Sequence, residues 1–565
     1  MNALARHAPV AVALICFVTY VFAAVPTVYW LDSSELAAAA WTLGVAHPPG
    51  HPLFALWGRL FALAPLGGIG FRVALSQAAA GALAVAATCV LARELLGRLG
   101  AAPAAASLLG GAGGLVFGFS WGLAFQSVRP EVYALHAATA LGAAALVVRA
   151  DAARAPAGGA GPALAAAALL AGLSLANHHL LALAGLAPLG LFVLARRPRA
   201  GPATWALVLG ALVLALGVYL YLPVRARAGP LVNWGNPQTA ARWFWVVSAR
   251  VFQKSVERAS SGSVPFEIVR ELGPLAALCA LGGLAALVRA RATRALGLLV
   301  GGEIAAYAAA CALVGFDEHN PDAHGYLACA LGYAAVAAVA LPVALASALK
   351  PRWPRAAAAA SALLGLALAL SQPARGPARF SLARTYGAET TLASALAELP
   401  PRGAIDAGYF QTVFGLWYLR GVEGARPDSE LYARHFARFP GAVAAASPAP
   451  ARARPPLHEH DLDDPPALLS RLEPLGLWYR VGAGATPAAL LAQDADWDRL
   501  LARVAVDLDD RETRGYLTWS FFLAAHLRCQ IGARSEGLGA AERARALNRG
   551  DTPELAALRQ RCQPP

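Results

Sequence analysis

The chain has 565 residues, of which 58% are hydrophobic and only 14% are charged. Soluble domains carry about 25% charged residues, so this composition excludes an ordinary soluble enzyme. The net charge of +13 does not indicate a nucleic-acid partner. The arginines are scattered or lie beside apolar blocks, as they do in the cytoplasmic loops of membrane proteins.

Apolar blocks of near-spanning length begin close to the N-terminus. The first follows Arg6 and His7 and ends at Val28; it is longer than a signal-peptide core, so we interpret it as an uncleaved helix. A span needs roughly 20 apolar residues, and further blocks lie at 73–91, 104–119, 132–148, 163–177, 180–194, 205–221, 272–288, 295–314, 326–348 and 357–370. The sequence therefore predicts an α-helical polytopic membrane domain over residues 1–371, with about eleven transmembrane helices. The two blocks that flank Asn177 and His178 are short for full crossings.

Loop charges predict the orientation. With a cytoplasmic N-terminus, the predicted inner loops are basic and the outer loops hold the acids and most histidines, as expected from the positive-inside rule. The inner loops contain Arg93, Arg98, Arg149, Arg154, Arg196, Arg197, Arg199, Arg289, Arg291, Arg294, Lys350, Arg352 and Arg355. The odd number of spans then places residues 372–565 outside the cytoplasm. Abundant alanine and only two lysines are typical of a GC-rich bacterial genome, so we expect the inner (cytoplasmic) membrane of a bacterium.

Residues 372–565 have the composition of a soluble domain, which we predict to be mainly helical and extracytoplasmic (periplasmic). A Pro/Ala-rich linker is predicted at 442–456. Amphipathic helices beyond it predict a tetratricopeptide-like hairpin within 515–560. Cys529 and Cys562 either pair, as an oxidising compartment permits, or stay free.

Four ionisable residues follow the first span in Asp32-Ser-Ser-Glu35 and Leu43-Gly-Val-Ala-His47-Pro-Pro-Gly-His51-Pro-Leu. Asp32 and Glu35 are three apart at a helix start, which puts both carboxylates on one face. The prolines force a rigid turn that returns both imidazoles to the same region. The alternative is a helix cap, but ionisable groups at a membrane boundary tend to be functional.

The full pattern resembles a family of the glycosyltransferase C superfamily, the one that includes the animal transmembrane protein O-mannosyltransferase. Besides the two motifs above, the resemblance rests on Glu131-Val-Tyr133, Gly172-Leu-Ser-Leu-Ala-Asn177-His178, Tyr219-Leu-Tyr-Leu-Pro-Val-Arg225, Asn233-Trp234-Gly235-Asn-Pro237, Phe414-Gly-Leu-Trp417-Tyr418 and Gly421-Val-Glu-Gly-Ala-Arg426-Pro-Asp428. It extends to about Arg438. The chain departs from the family pattern at Ser34, His51 and Ala74.

The resemblance implies a glycosyltransferase-C-like fold and a hexosyltransferase that uses a polyprenyl-phosphate-linked sugar on the outer side of the membrane, with inversion. Mannose is the expected sugar and protein Ser/Thr the expected hydroxyl acceptor, with a glycan acceptor left open. Asp32 is the candidate base and Glu35 orients the acceptor or shares that role. Arg225 and then Arg129 are the candidates for binding the lipid phosphate, and Trp234 for binding sugar or acceptor. The other candidate binding residues are His47, His51, Glu131, Tyr133 and His178.

Other readings of these residues stay open. Arg225 is equally suited to anchor a helix end, Glu131 to start a helix, and His178 to bond within the bundle. The cluster Asp317-Glu318-His319 with Asp322 and His324 has metal-like residue types, but we interpret it as a polar outer loop. No metal site is predicted, although a divalent cation and the oligomeric state are left open. The alternative function is a transporter or flippase for a lipid-linked or small solute, for which we find no internal symmetry.

Overall fold

The computed structural model describes residues 3–151, 160–196, 200–252, 263–350, 352–438 and 456–563. Residues 442–455 of the predicted linker and the inner-loop residues Arg154, Arg197 and Arg199 lie outside these ranges. The described chain is predominantly helical. This confirms the predicted class of a polytopic α-helical membrane protein.

The described helices up to Ser371 are α1 (Ala3–Ala23), α2 (Ser33–Thr42), α3 (Pro52–Ala62), α4 (Ile69–Arg98), α5 (Pro103–Gly118), α6 (Trp121–Ala124), α7 (Tyr133–Ala150), α8 (Ala160–Arg196), α9 (Pro202–Leu216), α10 (Tyr221–Arg227), α11 (Ala240–Val247), α12 (Val264–Arg289), α13 (Arg294–Val314), α14 (Pro321–Tyr326), α15 (Ala328–Ala338), α16 (Ala340–Leu349) and α17 (Pro354–Ser371). Among the described residues, eight helices are long and apolar enough to cross a membrane, or nine if the pair α5–α6, bent by 72°, is one span. The core of every predicted apolar block is helical, although the block at 205–221 continues from α9 into α10 and the block at 326–348 extends from α14 through α16.

Helices suit these blocks because a bilayer offers no water to the backbone, so each N–H and C=O must be satisfied within the segment. Small residues let the helices approach closely. At Gly283 of α12, an added Cβ would overlap the backbone carbonyl of Ala337 in α15. On the outer face of α12, Leu278 and Leu281 are each 67% exposed, as expected of side chains that face lipid.

The two short blocks around Asn177 and His178 form a single kinked element, α8. His178 has φ −149° and ψ 85°, which lie outside the helical region, and the chain folds back there. Ala160 at the start of α8 packs with Ala150, while Arg196 at its end donates to the Asp151 carboxylate at 2.9 Å. Both ends of α8 therefore lie on the same side of the bundle, as expected for two crossings. The total number of spans stays a prediction.

The C-terminal domain contains α18 (Gly387–Ala397), β1 (Ala404–Ala407), α19 (Phe410–Gly421), β2 (Glu430–Ala433), β3 (Leu457–His458), α20 (Pro466–Leu469), β4 (Leu472–Leu475), β5 (Trp478–Val481), α21 (Pro487–Arg503), α22 (Arg511–Gln530), α23 (Arg534–Asn548) and α24 (Pro553–Cys562). The strands form one sheet in the order β2-β1-β3-β5-β4. β1 runs parallel to β2 and β3, whereas β5 is antiparallel to β3 and β4. Helices dominate, but the prediction of a mainly helical domain missed this sheet.

The end of the C-terminal domain is a helical hairpin with a third helix against it. Helices α22 and α23 meet at a turn that includes Gly532, and α24 packs beside them. A disulfide joins Cys529 of α22 to Cys562 of α24. The hairpin and the cysteine pairing are therefore both present, although one hairpin does not make a repeat.

Three hydrogen bonds join the C-terminal domain to the segment around the first outer loop. The Tyr29 hydroxyl donates to the Asp510 carboxylate at 2.8 Å, and the Trp30 indole N–H donates to the Thr513 hydroxyl at 2.9 Å. The backbone N–H of Gly70 donates to the Tyr418 hydroxyl at 2.7 Å. The C-terminal domain therefore contacts the residues directly before Asp32. The boundary at residues 371 and 372 stays a prediction.

Candidate active site

The first outer loop places four ionisable side chains in one small region. Helix α2 begins directly after Asp32 and ends at Thr42, and the next residue, Leu43, adopts a left-handed conformation. The chain then turns through Pro48 and Pro49, joined by a cis peptide bond, before α3 begins at Pro52. This rigid turn carries His47 back to the start of α2, as predicted from the prolines.

His47 lies between the two predicted catalytic carboxylates. Its backbone N–H donates to Glu35 Oε1 at 2.8 Å, and its ring Nδ1 lies 2.9 Å from Glu35 Oε2. Its Nε2 lies 3.8 Å from Asp32 Oδ2. The Glu35 side chain is fully buried, whereas that of Asp32 is 32% exposed. Of the two acids, only Asp32 is therefore open to a substrate.

The Asp32 carboxylate makes no cap hydrogen bond to the helix that follows it, so the capping alternative is not supported. Burial raises the pKa of Asp32 to about 6, with Asp322 and Glu35 adding to the rise and His47 opposing it. Burial alone would lower the pKa of His47, but the carboxylates of Asp32 and Glu35 outweigh it and raise the value to about 10. At neutral pH the site therefore pairs an ionised base with a cationic imidazole.

His51 extends the cluster toward the membrane bundle. Its Nε2 lies 3.3 Å from His47 Nε2, and its Nδ1 lies 2.5 Å from the backbone oxygen of Asn177. Burial and the neighbouring His47 cation both lower the pKa of His51. The rings of His178 and Tyr133 lie next in line, with His178 5.8 Å from His51 and 5.7 Å from Tyr133. These predicted residues do come together, as a row of neighbouring rings that begins at His47.

Arg129 holds a second, fully buried part of the site. Its Nη1 donates to Ser33 Oγ at 3.0 Å and to Glu131 Oε2 at 3.1 Å. Its Nη2 donates to Gln126 Oε1 at 2.8 Å and to the Asp322 carboxylate. Because Arg129 is fully buried and both Nη atoms have partners, its contacts support a positioning role over phosphate binding.

The Arg225 guanidinium likewise has hydrogen-bond partners within the protein, in this case backbone carbonyls. Its Nε donates to the Leu43 carbonyl at 2.8 Å and its Nη2 to the Thr42 carbonyl at 3.2 Å. These carbonyls lie at the C-terminal end of α2, where helix carbonyls lack partners within the helix. The contacts support the anchoring alternative for Arg225.

Trp234 joins the site to the C-terminal domain. Its ring lies 6.4 Å from His47 and 4.6 Å from Phe436. Its backbone N–H donates to the Val45 carbonyl at 3.1 Å, while its buried indole N–H has no hydrogen-bond partner among the described residues. Binding of a sugar or acceptor by Trp234 stays a prediction.

The loop around Asp317 divides between two networks. Asp322 binds Arg129, and the ring of His324 lies 2.7 Å from Glu271 Oε1 and 3.1 Å from the Glu318 carbonyl. Among the residues that the structure describes, no group of three or more His, Cys, Asp or Glu is arranged to hold a metal ion. The metal-like residue types are thus used in ion pairs.

Sequence reasoning missed Asp322 and Ser33 as parts of the site. Asp322, from a distant part of the chain, accepts a hydrogen bond from Arg129, and the Ser33 hydroxyl oxygen accepts another from the same guanidinium. The aromatic neighbours of Trp234, Phe414 and Phe436, come from the other domain. The sequence offered one indication that Asp322 belongs to the site, namely its position in an acidic loop that was predicted to lie on the outer side.

Part of this chain is similar to known proteins. Residues 32–200 match the family model described as the protein O-mannosyl-transferase TMEM260 N-terminal domain. Over 239 residues the chain is 35% identical to protein O-mannosyl-transferase TMEM260 of Mus musculus, a match that covers 40% of this chain and 31% of the mouse protein. The matched segment thus spans about a third of the length of that relative.

Two solved structures are similar over most of the chain. ArnT from Cupriavidus metallidurans bound to undecaprenyl phosphate is 17% identical, with a TM-score of 0.47, over 74% of this chain and 85% of that one. The archaeal oligosaccharyltransferase AglB from Archaeoglobus fulgidus, in complex with an inhibitory peptide and a dolichol-phosphate, is 12% identical with a TM-score of 0.44, over 76% of this chain and 65% of that one. The residues matched by the family model begin at Asp32 and include Glu35, His47, His51, Arg129 and Glu131. The match confirms the resemblance inferred from the sequence: residues 32–200 of this chain are similar to the TMEM260 N-terminal domain.

Proposed function

We propose that this chain is a membrane glycosyltransferase that moves a sugar from a polyprenyl-phosphate donor to a hydroxyl acceptor on the outer side of the membrane, with inversion. Mannose is the proposed sugar and protein Ser/Thr the proposed acceptor. The observation that carries the proposal is the Asp32 carboxylate, which is partly exposed and has a raised pKa beside the buried Glu35–His47 pair. The family match over residues 32–200 supports it.

In the proposed reaction Asp32 accepts the proton of the acceptor hydroxyl. The hydroxyl oxygen forms a bond to the anomeric carbon from the face opposite the phosphate. The bond between that carbon and the phosphate oxygen breaks, and its electron pair leaves with the polyprenyl phosphate. A base works best when its pKa lies near the working pH, and a value of about 6 leaves Asp32 ionised at neutral pH yet more basic than an ordinary carboxylate.

Glu35 and His47 position this base. Glu35 is fully buried and accepts two hydrogen bonds from His47, so it holds the imidazole and does not touch the acceptor. The His47 cation in turn opposes the rise in the pKa of Asp32. Arg129 holds the backbone next to Asp32 in place, because it donates a hydrogen bond to the side chain of the following residue, Ser33. We therefore give Glu35, Arg129 and Arg225 positioning roles and assign none of them to the phosphate.

A transporter or flippase remains the second candidate. Polar residues of a transport pathway collect near the middle of the membrane, whereas Asp32, Glu35 and His47 lie in the loop between α1 and α3. Reconstitution in vesicles separates the two functions. A transferase attaches the sugar covalently to a peptide, whereas a flippase only changes the leaflet in which the labelled lipid is found.

Intact-mass glycoproteomics of exported proteins, with and without this gene, tests the proposal directly. We expect hexose-sized mass additions on Ser/Thr of some exported proteins only when the gene is present. Purified protein should make the same addition from polyprenyl-phosphate mannose, and a parallel reaction with polyprenyl-phosphate glucose tests the sugar. If the exported proteins are identical in both strains and no labelled sugar becomes covalently attached in vitro, the proposal is rejected.

A further inference from the structure

A cavity of about 1110 Å³ lies between the outer side of the membrane domain and the C-terminal domain. Its walls come from the segment around Phe125, the start of α12, the loop before α14, the chain after α17 and the residues before α22. Asp32 is not among its lining residues. We propose that this cavity binds the acceptor as an extended polypeptide, on one side of the residue that receives the sugar. This inference rests on the proposed function.

The cavity lies close enough to the base to hold part of the same acceptor. Tyr29 lines it and precedes Asp32 by three residues, so their Cα atoms are at most about 11 Å apart. Phe125, also in the wall, carries the Arg129 guanidinium over its ring at 4.9 Å. An extended polypeptide rises about 3.3 Å per residue. The cavity would therefore hold acceptor residues about three positions or more from the modified Ser/Thr.

The charge of the walls does not favour a phosphate. Five arginines and six acidic residues line the cavity together. Arg270 lies 2.7 Å from Glu267, Arg375 donates to the Glu271 carbonyl at 3.0 Å, and Arg379 donates to Gln372 Oε1 at 2.9 Å. With acids in the same walls and three of the arginines bonded within the protein, no strong surplus of positive charge remains for an anion.

The charged groups in the walls also do not favour the isoprenoid. Exposed rings that suit a lipid chain lie elsewhere, at Phe244 and Phe252, which are 62% and 43% exposed. Phe252 lies 6.4 Å from His47, so the lipid-linked donor has an apolar approach from the α11 side. Inversion requires the acceptor to approach from the face opposite the leaving phosphate. The cavity on the Tyr29 side therefore suits the acceptor.

Size and ring placement favour a polypeptide over a glycan. Small-molecule pockets occupy about 300–1,000 Å³, and this cavity exceeds that range. Trp121 and Phe125 stack on each other at 4.4 Å, and Arg129 packs over Phe125, so these rings are already used in internal contacts. The exposed Ser381, Arg384 and Arg511 instead present a hydroxyl and two charges to a polar chain.

The test compares a long acceptor with a short one. A peptide of roughly 15 residues, centred on a Ser/Thr found modified by glycoproteomics, reaches the cavity, whereas the tripeptide at its centre does not. Ser381→Trp fills part of the cavity, and Arg384→Glu with Arg511→Glu reverses its charge. We expect these variants to raise KM for the long peptide about tenfold, with KM for the tripeptide and for polyprenyl-phosphate mannose unchanged. Ser470→Trp and Arg471→Glu, exposed and outside the cavity, are the matched controls.

A binding measurement keeps this inference separate from the proposed function. Ser381→Cys carrying a photo-crosslinker should capture the long peptide in the absence of donor, and Ser470→Cys with the same label should not. Failure of all sugar transfer with selective capture at position 381 would reject the proposed function alone. Equal effects on long and short peptides, a raised donor KM, or equal capture at both positions would overturn the acceptor cavity.

Discussion

Two carboxylate–imidazole clusters in this chain use the same residue types with different results. In the C-terminal domain, Asp464 Oδ2 lies 2.8 Å from His458 Nε2, 2.9 Å from His460 Nδ1 and 2.8 Å from the backbone N–H of Asp461. Its other oxygen accepts from Arg434 at 3.1 Å. Burial raises the pKa of Asp464, but the hydrogen bonds from His458 and His460 outweigh it and hold the value well below its ordinary range.

The Asp32 site is arranged in the opposite way. Its nearest cationic partner, His47, lies 3.8 Å away and is already bonded to Glu35, so the Asp32 carboxylate keeps free oxygen surface and a pKa raised by burial to about 6. The two clusters therefore differ in how many hydrogen-bond donors contact the central carboxylate. A saturated carboxylate stabilises the fold, whereas an undersatisfied one is available to take a proton.

The comparison predicts its largest effect for Asp32→Asn. An amide cannot accept the acceptor proton, so we expect the rate of sugar transfer to fall about 10²- to 10⁴-fold with little change in the thermal unfolding temperature. The measurement is single-turnover transfer to peptide, normalised to folded protein. The matched control is Asp464→Asn, which should transfer sugar at the normal rate per folded molecule. Equal loss of activity in both variants would contradict the distinction between the clusters.

The disulfide of the C-terminal domain is the next largest expected effect. It closes a loop with a sequence separation of 33 residues between Cys529 and Cys562, and loss of such a crosslink costs about 3–4 kcal/mol of unfolding free energy. We expect Cys529→Ser with Cys562→Ser to unfold the hairpin at lower denaturant, as measured by hydrogen exchange of α22 and α24. Protein isolated without reductant should resist maleimide at both positions, because an extracytoplasmic domain is oxidised. Full labelling would place the domain in a reducing compartment.

The Asp464 cluster should make a smaller contribution to stability. Removal of a buried hydrogen-bonded charge costs about 1–3 kcal/mol, so Asp464→Asn should lower the unfolding free energy by that amount. The depressed pKa of Asp464 gives stability that is present above about pH 4 and lost as the pH falls through the folded-state value. His458 is the opposite case: burial lowers its pKa, but Asp406 and Asp464 raise it overall, so its contribution is lost as the pH rises above about 6.5.

Together, the lowered pKa of Asp464 and the raised pKa of His458 predict that the part of the C-terminal domain containing this cluster is most stable between about pH 4 and 6.5. Thermal unfolding followed across pH measures it. Asp464→Asn should flatten the profile. A profile that is the same in the wild type and the variant would contradict the role of the cluster.

The smallest expected effect is on the pH profile of sugar transfer. Asp32 must be ionised to act as a base, so the rate should fall tenfold per pH unit below about pH 6. The His47 cation lowers the pKa of Asp32, so His47→Gln should move this acidic limb to higher pH. A limb that stays in place, or moves to lower pH, would show that another group sets it.

Local patterns predicted much of this molecule. The apolar blocks predicted the helices because a bilayer allows few other structures. The Pro48-Pro49 turn predicted that His47 and His51 would return to the region of Asp32 and Glu35, because prolines restrict the chain over a few residues. The fold-back at His178 corresponds to the break between two apolar blocks, each of which is short for a full crossing.

Contacts between distant segments were not predictable in this way. Asp322 reaches Arg129 from 193 residues away, and nothing in the local sequence fixes that pairing. For Arg225 the sequence left phosphate binding and helix-end anchoring equally open, because it follows a span, and only the structure shows that its partners are the carbonyls at the end of α2. The strands of the C-terminal sheet are two to four residues long, too short to show a period of two.

The bonds from Tyr29 to Asp510 and from Trp30 to Thr513 tie the backbone just before Asp32 to the C-terminal domain. The alignment of the proposed base therefore depends on contacts from both domains. The membrane helices alone do not supply these contacts, so a chain cut after α17 would lack part of the support for Asp32.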